Sequence, residues 1–206
     1  MLKIAVFVSG SGSNLQSIID NIEQGKLNCR IEAVISDNPK AGALERAEIK
    51  GIRTYVLDKS IHKEDFGDKA LQIIGEDLDL IVLAGFLSIL KGEILNTYKN
   101  KIINIHPSLI PNFCGKGMYG RRVHEAVIKA KAEITGCTVH YVNAEVDGGA
   151  VILQKIVKVD TCDDADTLQE KVLSEEHKLL CKVLCLIEQK KLLNTPQGVK
   201  ILEEVI

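Results

Sequence analysis

The sequence predicts an α/β fold built on a doubly wound, mostly parallel sheet, with antiparallel strands in the C-terminal half and a long C-terminal helix. Three observations carry that reading. Short apolar runs of strand length alternate with stretches of helical periodicity through the first half. Two later runs alternate apolar with polar residues on either side of a glycine-containing turn, as an antiparallel pair does. A long, highly charged stretch near the C-terminus then repeats its apolar residues at helical spacing.

The elements follow in order. Residues 3–9 are a near-continuous apolar run, as expected of a strand covered on both faces, and residues 14–22 carry apolar side chains at helical spacing. Residues 30–36 and 53–57 read as strands, with a helix over 41–50 between them that Gly51 ends. A helix is expected over 62–74, then buried strands at 79–84 ("DLIVLA") and 102–105 ("IINI"). After a loop rich in glycine and proline, residues 123–131 read as helix. Residues 138–142 and 151–159 form the antiparallel pair, joined by "NAEVDGGA", and residues 165–191 read as one helix packed over the sheet. No repeat, low-complexity tract or linker divides the chain, so residues 1–206 are expected to form one domain.

Composition narrows the classes of partner. The chain has 206 residues, of which 46% are hydrophobic, enough to bury a full core. With 26 basic and 28 acidic residues the net charge is −2, so nothing sequence-wide favours nucleic acid or an anionic membrane, and small molecules are the expected partners. The six cysteines are scattered, which suits free thiols in a reducing cytoplasm. His177, Cys181 and Cys185 share one helix face, but small core residues are a simpler reading of that stripe than metal ligands, and no metal is expected. No secretory signal opens the chain, and its longest uncharged apolar stretch, residues 80–90, falls short of a bilayer span, so a cytoplasmic location is expected.

The turn "VSGSGSNLQSI" sits where a strand passes into a helix, a natural place for an anion because unpaired amides and the helix dipole converge there. Leu15 stands where a dinucleotide fingerprint needs its third glycine, and Asn14 follows Ser13 where a P-loop needs lysine and a hydroxyl. Ser13 with Gln16 is expected to form a capping box, leaving the Gly10 and Gly12 amides open to a compact phosphate group. A plain turn without ligand fits the same residues.

In "INIHPSLIP", Asn104 and His106 lie two apart on one strand, so both side chains leave the carboxyl edge on one side. An amide donor beside an imidazole can hold a developing oxyanion while the ring moves a proton. In "EVDGGAVILQ", Asp147 precedes two glycines, so its carboxylate sits on a sharp turn; near His106 it would hold the ring's tautomer and favour its charged form. Read singly, each of these also fits a structural histidine, a hairpin turn or a solvated helix stretch such as "SEEH".

Taken together, "SGSGSNLQSII", "LAGFLSIL", "NIHPSLIP", "VDGGAVILQ" and "SEEH" occur in an order and spacing that resemble the glycinamide ribonucleotide formyltransferases of purine biosynthesis along essentially the whole chain. The resemblance implies a Rossmann-like formyltransferase fold. It implies transfer of a formyl group from the co-substrate 10-formyltetrahydrofolate to the amine of 5'-phosphoribosylglycinamide, without a metal, by a monomer or homodimer. Asn104, His106 and Asp147 match the catalytic positions. Gly12, Ser13, Asn14 and Glu176 match positions that bind the ribonucleotide. Leu87, Ser88, Ile89 and Leu90, with Asn104 and the loop Asn143, Ala144, Glu145, Val146 and Asp147, match the folate cradle. Residues 1–106 would then supply the phosphate-binding half and residues 107–206 the folate-binding and catalytic-loop half.

The chain departs from better-known family members at "NFCGKGMYGRRVHEA", which is more glycine-rich and basic and lies over the expected substrate site, and at Ser88, where some have a larger polar residue. Methionyl-tRNA formyltransferases and formyltetrahydrofolate hydrolases share the His and Asp machinery. The first are disfavoured by length and by the lack of a basic excess for tRNA, the second by a first strand that begins at Lys3. A nicotinamide oxidoreductase using Asp37 for a ribose is disfavoured by Leu15, and a non-catalytic phosphate-binding regulator by the intact Asn104, His106 and Asp147 set.

Overall fold

The computed structural model describes residues 1–202; residues 203–206 of the expected domain lie outside the described residues. In chain order the elements are β1 (Leu2–Val8), α1 (Ser13–Glu23), β2 (Cys29–Ser36), α2 (Gly42–Ile49), β3 (Thr54–Val56), α3 (Phe66–Ile74), β4 (Leu80–Leu83), α4 (Ile94–Thr97) and β5 (Ile102–His106). The second half adds α5 (Arg121–Lys129), β6 (Ile134–Tyr141), β7 (Val151–Lys158), α6 (Ala165–Glu188), β8 (Leu192–Thr195) and β9 (Gly198–Ile201). Seven strands form one sheet in the order β3-β2-β1-β4-β5-β6-β7. The first five run parallel, and β6 pairs antiparallel with both β5 and β7, as the alternation of the sequence predicts.

The unbroken apolar run of β1 has a simple cause: both faces of the sheet are covered. Ile4, Val6 and Val8 face one layer, where they meet Leu15 and Ile18 of α1 and Leu180 of α6. Ala5 and Phe7 face the other, packing with Ile35 and with Phe66 and Ala70 of α3. Phe7, Phe66 and Phe86 meet with ring centroids 5.0–5.8 Å apart. Helix α6 starts cleanly because Asp164 and Thr167 form a reciprocal capping box.

Several expectations need correction. The predicted capping box of Ser13 and Gln16 does not form: Gly12 takes the cap position in the left-handed region with φ 77°, and no side chain caps the helix. The Gln16 side chain turns along the helix instead, donating to Asp20. The helix expected from residue 62 begins at Phe66, because Asp58 accepts from the Ser60 amide and hydroxyl and holds the preceding residues in a turn. Strand β6 begins at Ile134, before the predicted 138, and α6 stops at Glu188. Residues 189–191 of the predicted helix form the turn into the β8–β9 hairpin, which the sequence reading missed along with the single turn α4.

Gly136 explains why β6 was read short, since it interrupts the alternation yet sits inside the strand. A Cβ there would lie 1.9 Å from the Lys155 carbonyl oxygen and 2.7 Å from Leu109 Cδ2. Gly136→Ala is therefore expected to destabilise the fold by about 1–3 kcal/mol in urea unfolding, whereas Gly10→Ala, which meets open space, should stay within about 0.5 kcal/mol. Equal midpoints for the two variants would refute this packing argument.

Candidate active site

The sheet places its carboxyl edges around one crevice. Strand β1 has β2 on one side and β4 on the other, so the chain order reverses beside it and α1 starts at that switch point. Glycine is required at position 12 by its φ and because a Cβ would lie 2.6 Å from Ala43 Cβ. With no capping side chain, the first-turn amides of α1 remain available to a ligand. Asn14, 5% exposed, donates through Nδ2 to Glu176 Oε2 at 2.8 Å, while its Oδ1 has no partner. Burial pushes the Glu176 carboxyl up to about 7, against the opposing pull of the Asn14 hydrogen bond.

A second group forms where β5 meets β6. Their antiparallel register sets Asn104 opposite His140 and His106 opposite Thr138. His140 Nδ1 lies 2.8 Å from the Tyr141 carbonyl oxygen, which can only accept, so that nitrogen carries the proton. Burial lowers the His140 pKa, which keeps the ring neutral and leaves Nε2 a lone pair. Asn104 Nδ2 donates to that lone pair at 3.1 Å, which fixes the orientation of the amide and leaves its second N–H unused.

Asp147 joins the group from the loop before β7. Its φ of 55° is left-handed, and its Oδ2 accepts from the Gly115 amide at 2.8 Å. Its two oxygens lie 3.7 Å from His106 Nδ1 and 3.7 Å from His140 Nε2, within ion-pair range but beyond a direct hydrogen bond. His106 Nε2 donates to the Phe113 carbonyl at 3.0 Å, so Nδ1, beside Asp147, is the nitrogen left for proton exchange. Gly149 is required where the loop returns, since a Cβ there would lie 1.7 Å from the Tyr141 oxygen.

Both groups open into one cavity of about 590 Å³. Its wall includes Gly12, Ser13, Asn14, Asn104, His106 and Glu176, the segment Leu87, Ser88, Ile89 and Leu90, and the loop Asn143, Ala144, Glu145, Val146 and Asp147. Every site residue expected from the sequence therefore lines the same space. Two groups on its wall were missed, His140 and the buried His124, whose Nδ1 has no partner among the described residues, and Asp37, weighed only as a ribose ligand, is fully buried and accepts from the Ser88 hydroxyl. That bond engages Asp37 in holding the Leu87 to Leu90 segment, as does Ser9, whose hydroxyl accepts from the Leu87 amide. Cys181 is buried and meets Ser17, and among the described residues no cluster of His, Cys, Asp or Glu could hold a metal. Among the same residues no helix is long and apolar enough to cross a membrane.

The formyl transferase family matches residues 2–184. The chain belongs to that family. It is 38% identical over 189 residues to the human trifunctional purine biosynthetic protein adenosine-3, a match covering 90% of this chain but 18% of that protein's length. It is 34% identical to the phosphoribosylglycinamide formyltransferase of Bacillus subtilis, covering 86% of this chain and 90% of the relative. The crystal structure of phosphoribosylglycinamide formyltransferase from Anaplasma phagocytophilum aligns with a TM-score of 0.89 at 36% identity, covering 100% of this chain and 95% of that one.

In this formyl transferase the buried Glu176 carboxyl makes a measurable signature. Its ordinary value of 4.5 applies in the unfolded chain and about 7 in the folded one, so stability is lost as pH rises from 4.5 through 7. Glu176→Gln keeps an acceptor for Asn14 and removes that loss, so between pH 5 and pH 8 the variant should gain roughly 2–3 kcal/mol relative to the parent in urea unfolding. His124, held down at about 4 chiefly by burial, costs both proteins stability equally as pH falls from 6.5 towards 4 and cancels in the comparison. A difference that stays flat across the window would contradict the buried-acid assignment.

Proposed function

We propose that this chain transfers the formyl group of 10-formyltetrahydrofolate to the amine of 5'-phosphoribosylglycinamide, giving formylglycinamide ribonucleotide and tetrahydrofolate. The observation that carries the reading is the convergence of Asn104, His106 and Asp147 on a cavity that also holds an uncapped helix start suited to a phosphate. The names of the human and Bacillus relatives support it. We assign Gly12, Ser13, Asn14 and Glu176 to the ribonucleotide, and Leu87 to Leu90 with Asn143 to Asp147 to the folate. Residues 1–106 and 107–206 then act as the two halves of one domain. The even charge balance and free thiols suit a cytoplasmic enzyme, working as a monomer or homodimer.

The chemistry follows from the donors. As the glycinamide nitrogen bonds to the formyl carbon, charge builds on the formyl oxygen, and the unused N–H of Asn104 is the donor placed to meet it. His106 exchanges a proton through Nδ1, with Asp147 beside it to stabilise the charged ring. The bond from the formyl carbon to the folate nitrogen breaks, and the proton released by the amine ends on that nitrogen.

Release of tetrahydrofolate followed by absorbance tests the reading. It should require the ribonucleotide, and His106→Ala should lower turnover by about 10²- to 10³-fold. Release without any acceptor would make the chain a hydrolase. Asp147→Asn should lower turnover while leaving ribonucleotide affinity within about twofold, because the carboxylate acts on the ring and not on the acceptor's binding groups. Loss of ribonucleotide binding at unchanged turnover would overturn the role given to Asp147.

A further inference from the structure

The loop after β5 and the start of α5 bring two cations to the cavity wall for which the proposed chemistry has given no role. Among the described residues that line it, Lys116 and Arg122 are the only Lys or Arg side chains, and Glu145, Asp147 and Glu176 line it too. The turn from Gly10 to Asn14 offers amides but no charge of its own. Arg46, which reaches the turn, is committed to the Ser11 carbonyl and Gln16 and does not line the cavity. For a phosphate seated at the start of α1, beside the buried Glu176 carboxyl, Lys116 and Arg122 are the permanently charged cations that share its cavity.

The two differ in placement. Lys116 follows Gly115, whose amide is bonded to Asp147, so it stands at the catalytic end. Arg122 lies in the first turn of α5. Its neighbour Arg121 is tied to Asp166 and Glu125, but among the described residues Arg122 has no carboxylate partner. The face of Tyr119 holds its guanidinium at 5.0 Å, which restrains the plane while leaving the N–H edges free. Two buried atoms on residues of the same cavity wall, Asn14 Oδ1 and His124 Nδ1, also lack partners among the described residues. These are open hydrogen-bonding positions where a polar ligand is expected.

We infer that Arg122, braced on Tyr119, is the counter-cation of the acceptor's phosphate, completing the anion site that the α1 turn begins. Arg122 is thus a specificity residue that selects phosphorylated acceptors. The inference rests on the proposed function for the identity of the acceptor, though not for the presence of an anion site. A guanidinium suits the task because its paired N–H groups match two phosphate oxygens at once.

Calorimetric binding of ribose 5-phosphate to the full chain tests this without any formyl transfer. Arg122→Met should weaken binding roughly 10- to 100-fold, the range expected for loss of a charge-assisted bidentate contact, and Arg122→Lys should fall between. Lys116→Met should stay within about twofold of the parent. The side chain is exposed, so the variants' unfolding midpoints should match the parent's. In turnover assays, Arg122→Met should raise KM for the ribonucleotide but not for its dephosphorylated nucleoside, and should leave KM for the folate unchanged. Equal binding of ribose 5-phosphate by parent and Arg122→Met, or equal losses with both acceptors, would overturn the inference. Binding that depends on Arg122 in a protein that transfers no formyl group would uphold the anion site while refuting the proposed reaction.

Discussion

The site depends on one pairing, the antiparallel ladder between β5 and β6. Every earlier strand pair is parallel. The reversed strand instead sets His140 directly opposite Asn104, so that a polar ring and a polar amide meet at the sheet edge. A slip of one residue would send both His140 and Thr138 to the other face. Thr138 helps to hold the register, since its hydroxyl donates to the Ser108 carbonyl and accepts from the Ile110 amide and from the Gln154 side chain.

From that pairing a chain of hydrogen bonds defines the donor geometry. The Tyr141 carbonyl fixes the proton of His140 on Nδ1, the free lone pair on Nε2 orients Asn104, and Asp147 sits between the two histidines. Asp147 is itself braced by the Gly115 amide, which connects the loop after β5 to the loop before β7. Placing a carboxylate on a left-handed backbone costs roughly 1–3 kcal/mol in conformational strain. The two loops that flank the site compensate by sharing its hydrogen bonds, and polar groups buried in this way stay satisfied rather than orphaned.

Much of this was legible in the residues. The unbroken run of β1 required cover on both faces, and the Asn104 and His106 spacing put two side chains on one side of a strand end. The cap of α1 was misread because a serine followed three residues on by glutamine is a capping-box signature whatever precedes it. What decided the matter was the contact of Gly12 with Ala43, a tertiary fact. His140 was missed because alternation says which residues share a face but not which strand lies alongside. Asp37 was weighed as a ribose ligand, yet its bond to Ser88 depends on two loops meeting at the switch point. The β8–β9 hairpin escaped because its two strands are only four residues each, too short for alternation to stand out.

The central claim is that His140 is neutral, carries its proton on Nδ1 and thereby fixes the Asn104 amide. Long-range proton–nitrogen correlation spectra of the histidine rings at pH 7 test it most directly. The account predicts a protonated Nδ1 and an unprotonated Nε2 for His140, with that pattern preserved in Asn104→Ala. A ring protonated on Nε2, or on both nitrogens, would reverse the amide and remove the donor on which the proposed chemistry rests.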